Sequence, residues 1–446
     1  MTNKLFSNKQ LVRLICPLLV EQLFMMLVGM ADTIMVSAAG EAAISGVSIV
    51  NDVNMLIIAI LSAVAGGGSV IVTQYLGNKD HENTKLSASQ LILISFIIST
   101  VFGFLCLIFH SSILHLLYGS VANDVMENAK AYFWITALSF PFLGLYNSAT
   151  SLYRAMNRTN ITMRVSLLMN AINVVGNYIC VYKMHMGAAG VAWPTLVSRI
   201  VAAIVMFKLC FNQEAPICVC WKDILSWKQR IIERILSIAI PNGVENGLFQ
   251  LGKVLVSVFV ATYGTSQIAA NGVSNSLSIL CYTTEMAMQL AVVTVVGQCV
   301  GANDYKQAKY YIGYMLKMSM VMAVVNNVLI YIVSPYALHL YTMSDETFAI
   351  AETILGMECL AVGVLHAPAF VLPTCLRASG DAKYTMYIGV ASMFAARVFG
   401  AYMLGTVMGL GVIGTRIAMY IDWIVRILFF AYRYKSDKWM AYRAID

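Results

Sequence analysis

The chain has 446 residues, of which 59% are hydrophobic and only 11% charged, with a formal net charge of +7 and a mean hydropathy of +0.75. Soluble domains carry roughly 25% charged residues, so a surface made from this composition must face lipid. A soluble enzyme, a nucleic-acid-binding protein and a disordered chain are excluded.

A helix crossing about 30 Å of hydrocarbon needs about 20 apolar residues. Twelve such runs follow one another, near 14–38, 45–76, 89–114, 131–153, 165–182, 190–211, 236–262, 268–299, 311–333, 348–375, 385–405 and 412–432. The first is too long for a signal-peptide core and has no small-residue cleavage site, so it counts as a span. No ten-residue block alternates in polarity, which excludes barrel strands. Lys and Arg then set the orientation. Alternate connections, starting with the N-terminus (Lys4, Lys9, Arg13) and ending with the C-terminus (Arg433, Lys435, Lys438, Arg443), hold 20 basic residues, and the opposite set holds only Lys130 and Lys183. This bias predicts cytoplasmic termini and an even number of spans. The ten cysteines lie mostly in apolar runs and read as reduced packing residues. Cys218 and Cys220 lack the His/Cys partners that a metal site needs.

The chain repeats itself. Pro17-x-x-x-Glu21 recurs as Pro241-x-x-x-Glu245, and Gln74-x-x-Gly77-x-x-Asp80 as Gln298-x-x-Gly301-x-x-Asp304, both at the same offset. Ser45-Gly46-Val47-Ser48 meets Asn271-Gly272-Val273-Ser274, and Arg154-Ala155 with Thr162-Met163 meets Arg377-Ala378 with Thr385-Met386. The expected fold is therefore an all-α membrane protein of twelve transmembrane helices in two pseudo-symmetric six-helix bundles. Six spans per half make it a parallel repeat, with its axis along the membrane normal. The expected division is 1–212 for the N-terminal lobe, 213–233 for a cytoplasmic interfacial linker bearing Trp221 and Trp227, and 234–446 for the C-terminal lobe. The linker composition suits a short amphipathic helix.

A charge at bilayer depth costs about 2.5 kcal/mol or more, so each needs a partner or a wet cavity. Asp32 lies in the first span, and no Lys or Arg follows Arg13 on that helix. An unpaired carboxylate there suits proton exchange, the alternative being a carboxylate hydrogen-bonded to a neighbouring helix for packing. Glu21 and Glu245 each follow a helix-bending proline at the same repeat position, which fits either a shared structural role or a cavity wall. Lys253 sits about two turns beyond Glu245 on roughly the same face, as a cation for a carboxylate of another helix or one that moves on protonation. Asn170, Asn173 and Asn177 share one helix face, lining a cavity or bonding helices together. Glu285, Glu358 and Arg397 have no partner in sequence, so each either lines a substrate or ion cavity or bonds to another helix, whereas Asp422 and Arg426 are spaced for an ion pair within one helix. Gly66-Gly67-Gly68 permits close backbone approach or flexing. A total of 27 Met, among them Met25, Met26, Met30 and Met35, suits a permissive pocket.

These residues resemble the multidrug and toxic compound extrusion (MATE) family over nearly the whole chain. The likeness rests on a proline followed by Gly29-x-x-Asp32-x-x-Met35-Val36, on Thr73-Gln74-Tyr75-Leu76-Gly77 with Asp80, and on the echo at Gly297-Gln298 with Gly301. Arg377-x-x-Gly380-Asp381 and Asp422-Trp423 complete it. The resemblance implies two six-helix bundles and export of small cationic amphipathic drugs, driven by an inward proton or sodium gradient. Asp32 would be the ion-coupling acid, with Asn173 and Asn177 as the polar pair beside it and a sodium ion as one option there. Several members have Asp where this chain has Asn177, which removes one candidate ligand. Phe249 and His366 stand where one branch has carboxylates, so the C-terminal sodium site of that branch is in doubt, and His366 becomes a candidate proton carrier or an inter-helix hydrogen-bond partner. No cofactor, no certain metal and no nucleic-acid partner are expected. The expected protein is a monomer in the bacterial inner membrane, in contact with its lipid. The alternative is a lipid-linked precursor flippase of the same superfamily, for which Arg199, Arg397 and Arg416 speak. A membrane prenyl transferase would need clustered Asp residues, which are absent.

Overall fold

The computed structural model describes residues 4–445 except 39, 120, 340 and 342, with the side chains of Thr33 and Ser37 left aside. Every regular element among the described residues is helical. The main helices are α1 (Asn8–Ser37), α2 (Glu41–Gly77), α3 (His81–Tyr118), α4 (Asn123–Leu138), α5 (Phe140–Ala155), α6 (Thr159–Lys183) and α7 (Ala189–Cys210). They continue with α8 (Gln229–Val260), α9 (Thr265–Gly301), α10 (Tyr305–Leu338), α11 (Asp345–Ser379), α12 (Ala382–Val407) and α13 (Gly411–Lys435).

Ten of these are long and apolar enough to cross a membrane, against twelve apolar runs in the sequence. The two runs that fall short have identifiable reasons. The run at 131–153 is interrupted at Ser139, leaving α4 and α5 with 16 residues each. Pro141 explains the break: it has no N–H for the Ala137 carbonyl, and it is tolerated in the first turn of the helix that follows. The Ser139 hydroxyl turns back onto Thr136 O at 2.6 Å. Helix α13 has the length, but Arg416, Asp422 and Arg426 give it too much charge.

The repeat is visible in the backbone itself. Left-handed residues occur in pairs: Gly40 with Gly264, Lys79 with Asn303, Asn157 with Gly380, His185 with Gly409, and Gly187 with Gly411. Every pair is separated by the offset of the sequence motifs, to within a single position. A non-glycine residue with positive φ is uncommon, so matched positions mark a shared chain path. The motif around Asp80 and Asp304 is explained as well. Asp80 accepts from Asn83 N at 3.1 Å and Asp304 from Gln307 N at 3.0 Å, so each carboxylate caps the helix that follows it.

The chain divides into two compact units, residues 8–243 and residues 244 onward, the latter joined by the segment up to Ser7. The division falls inside α8, whose first half packs in the N-terminal unit. There the glycine triplet serves close approach: a Cβ on Gly67 would stand 2.7 Å from Ala239 N. The linker contains one five-residue helix, Trp221–Leu225. Trp221, Leu225 and Trp227 are exposed. The buried Gln90 of α3 holds this segment, donating to Asp223 O and Ser226 O at 2.7 Å each and accepting from Lys228 N at 3.1 Å. In the C-terminal unit the first described residues lie against α10, with Phe6 N and O both bonded to the Tyr311 hydroxyl.

Candidate functional sites in the two units

In the N-terminal unit α1 contains Pro17, which leaves the Arg13 carbonyl without its helical donor. The Thr159 hydroxyl, at the start of α6, reaches Arg13 O at 3.1 Å and Leu14 O at 3.0 Å. One turn on, Glu21 is buried and accepts from Arg154 Nη2 at 2.6 Å and Thr162 Oγ1 at 3.2 Å. The second unit repeats the pair: Arg377 Nη1 donates to Glu245 Oε2 at 2.8 Å. Two of the repeated motifs of each half therefore supply the two partners of one buried ion pair. Neither Glu21 nor Glu245 is left unpaired.

Asp32 lies further along α1. Asn177 Nδ2 donates to Asp32 Oδ1 at 2.7 Å and to Asn173 Oδ1 at 3.2 Å, and Asn173 Nδ2 donates to Thr195 Oγ1 at 3.0 Å. Three helices, α1, α6 and α7, thus converge on one carboxylate. Asn177 is fully buried, yet its Oδ1 has no hydrogen-bond partner, and neither does Asn170 Nδ2. Buried amides are normally satisfied, so Asn177 Oδ1 retains capacity to accept a hydrogen bond or ligate a cation, and Asn170 Nδ2 to donate one. Arg199 of α7 and Tyr132 of α4 lie close enough to feel the Asp32 charge, and Arg199 Nη1 donates to Ser139 Oγ at 2.6 Å. Thr195 and Ser139 escape a sequence reading because single hydroxyls in apolar helices carry no spacing signal.

The second unit contains a cavity of about 330 Å³ whose wall includes Glu245, Phe249, Lys253, His366, Arg397 and Arg426. Glu245 and Asp422 neutralise two of its arginines. Arg426 Nε donates to Asp422 Oδ1 at 3.0 Å and its Nη1 lies 3.9 Å from Glu245 Oε1, while Arg377 is bound as described. His366 stacks on Phe370, with ring centroids 4.4 Å apart, against Tyr282 and Trp423; its Nδ1 has no partner. Glu285 is fully buried beside Thr284 and is not part of this wall. Glu358, without a partner in sequence, accepts from Tyr420 Oη at 2.9 Å and from Tyr282, with Arg416 at 3.7 Å. Among the described residues no group of three or more His, Cys, Asp or Glu could hold a metal ion.

The family model MatE matches residues 17–179 and again 241–403. The chain belongs to the MatE family. The second match follows the first at the offset of the sequence motifs, so the MatE unit is the repeat described above. Among MatE relatives, the uncharacterized transporter YisQ of Bacillus subtilis is 25% identical, with 98% of this chain and 96% of YisQ covered. A probable multidrug resistance protein NorM of Thermotoga maritima is 22% identical, with 97% and 93% covered. The fold is similar to the outward-facing conformation of a multidrug resistance MATE family transporter of the MOP superfamily, with a TM-score of 0.90, 20% identity and 96% of each chain covered. It is also similar to a MOP superfamily transporter from Pyrococcus furiosus, with a TM-score of 0.89, 21% identity and 96% of each chain covered. This MatE chain is accordingly a multi-pass membrane protein of a transporter family.

Proposed function

We propose that this protein is a secondary active multidrug efflux carrier that exports cationic amphipathic compounds in exchange for protons or sodium ions. In this reading it has twelve crossings in two six-helix lobes, with both termini in the cytoplasm, and works by alternating access in the bacterial inner membrane. The observation that carries the coupling role is the Asp32–Asn177–Asn173–Thr195 chain, with the buried Asn177 Oδ1 left without a partner. A carboxylate with one amide donor changes its charge at lower cost than one locked to a guanidinium. Uptake of a cation by Asp32 removes the charge that holds Asn177, and the bond between α1 and α6 weakens. Two arrangements of these helices with different affinities for ion and drug suffice for exchange. Glu21 and Glu245 are placed in this reading as structural ion pairs.

The test is dye efflux from reconstituted vesicles under a pH gradient and, separately, a sodium gradient. Wild-type protein should move dye under at least one of them. Asp32→Asn should abolish gradient-driven movement while the purified variant stays monodisperse. Full transport by that variant would remove Asp32 from the coupling site.

A further inference from the structure

The internal repeat allows the two units to be compared position by position. At the offset of the two family matches, Asn173 corresponds to Arg397 and Thr195 to Met419. The contact is kept in geometry and changed in chemistry: Asn173 Nδ2 donates to Thr195 Oγ1 at 3.0 Å, and Arg397 Nη2 donates to the Met419 sulfur at 3.0 Å. A thioether is a weak acceptor, so most of the Arg397 donors stay unused. On the first helix of each repeat, Asp32 corresponds to Val256, and Gly29 to Lys253. The acid of the first unit has therefore no counterpart in the second, and two cations stand where the first unit has none.

Those cations are not paired. Glu245 and Asp422 are the carboxylates bound to Arg377 and Arg426. Among the described residues, neither Lys253 nor Arg397 has a carboxylate within ion-pair distance. Lys253 Nζ lies 5.1 Å and Arg397 Cζ 5.4 Å from the centre of the same ring, that of Phe249, and Lys253 is exposed to the cavity. Two unpaired cations at membrane depth are costly, and such charges are retained where they meet a ligand of opposite sign. The rest of the wall mixes the aromatic rings of Phe249, Phe370, Tyr282 and Trp423 with the amides of Asn246, Gln250 and Gln289, and its one carboxylate, Glu245, is bound to Arg377. About 330 Å³ is within the size range of small-molecule sites.

We infer that this cavity is a binding subsite for an anionic group, a carboxylate, sulfonate or phosphate, carried on an aromatic or apolar body, with Lys253 and Arg397 holding the charge and Phe249 the ring. It deepens the export reading above and rests on it: the cargo then includes zwitterionic or anionic aromatic compounds beside cationic ones. The same chemistry could be presented by a free aromatic acid or by an anionic lipid headgroup, and the inference commits to the shared anion.

The experiment is binding of radiolabelled 2-naphthoate to the purified full chain in a neutral detergent, with neutral 2-naphthamide as competitor. Binding should be saturable, poorly displaced by the amide, and weakened about tenfold or more in Lys253→Met and Arg397→Met, the loss of one charge-assisted contact. Lys253→Arg, which keeps the charge, should retain binding and so separates loss of charge from loss of fold. Displacement by phosphatidylglycerol micelles but not by free benzoate would support the anion subsite and assign a lipid as its source. Displacement by benzoate alone would assign the free acid. Equal displacement by amide and acid, no saturable binding of naphthoate or the lipid, or unchanged affinity in both Met variants would overturn the inference. Asp32→Asn should keep naphthoate binding while losing gradient-driven efflux, so failure of the coupling reading and failure of the anion subsite give different results.

Discussion

Three carboxylates set apart by the sequence, Glu21, Asp32 and Glu245, meet different fates in the fold. Glu21 and Glu245 are matched to Arg154 and Arg377 at 2.6 and 2.8 Å, whereas Asp32 is met by an amide. Only the last arrangement leaves a carboxylate without a guanidinium partner, as the proposed coupling role requires. Breaking a buried ion pair by neutralising one member leaves the other charge stranded, at a cost of about 3 kcal/mol. Glu21→Gln should therefore lower the thermal unfolding temperature of the detergent-solubilised protein, and Arg154→Met together with Glu21→Gln should restore much of it. A Glu21→Gln protein of unchanged stability but altered coupling would return Glu21 to the cavity wall. The partners of Glu21, Arg154 and Thr162, stand on α5 and α6, far along the chain from α1. The sequence could therefore show its unusual depth but not its pairing.

At the scale of helices, small residues have opposite consequences according to what faces them. Gly67 of α2 lies against the α8 backbone, so Gly67→Val has to push two helices apart, and overpacking of this kind costs about 1–3 kcal/mol. Gly272, inside α9, has open space where a Cβ would go, and Gly272→Ala should stabilise the protein by about 0.5–1 kcal/mol through helix propensity. Thermal unfolding of the two variants should move in opposite directions, and an unchanged unfolding temperature in Gly67→Val would mean that α2 and α8 do not touch at Gly67. The apolar runs were legible as helices because a continuous lipid-facing surface writes itself into composition. The break at Ser139 was also available locally, in the Pro141 that follows it, but hydropathy alone bridges it.

For the molecule as a whole, the repeat organises everything: the family match, the ion pairs, the helix caps and the left-handed residues all recur at one offset, to within a single position. The linker that joins the halves is held by Gln90 through three hydrogen bonds. Removing a buried amide that satisfies three backbone groups costs about 1–3 kcal/mol locally. Gln90→Leu should therefore speed tryptic cleavage after Lys222 or Lys228 in the folded protein, seen as two half-size fragments, without abolishing folding. Unchanged cleavage would mean that the linker is secured elsewhere.

That the chain lives in a membrane, is helical, is duplicated and resembles MATE transporters is legible in its residues alone. Those properties follow from composition, run length and self-similarity, each written locally along the chain. The sequence also points to Asp32 with Asn173 and Asn177, because a charge and a row of amides are conspicuous against an apolar background. Which charges are neutralised depends on how the helices pack. Glu21, Glu245 and Glu358 gained partners from distant helices, while Lys253 and Arg397 came to share one aromatic ring in a cavity. Charge balance at depth depends on distances of a few ångströms between helices, and no spacing along a single helix encodes those distances.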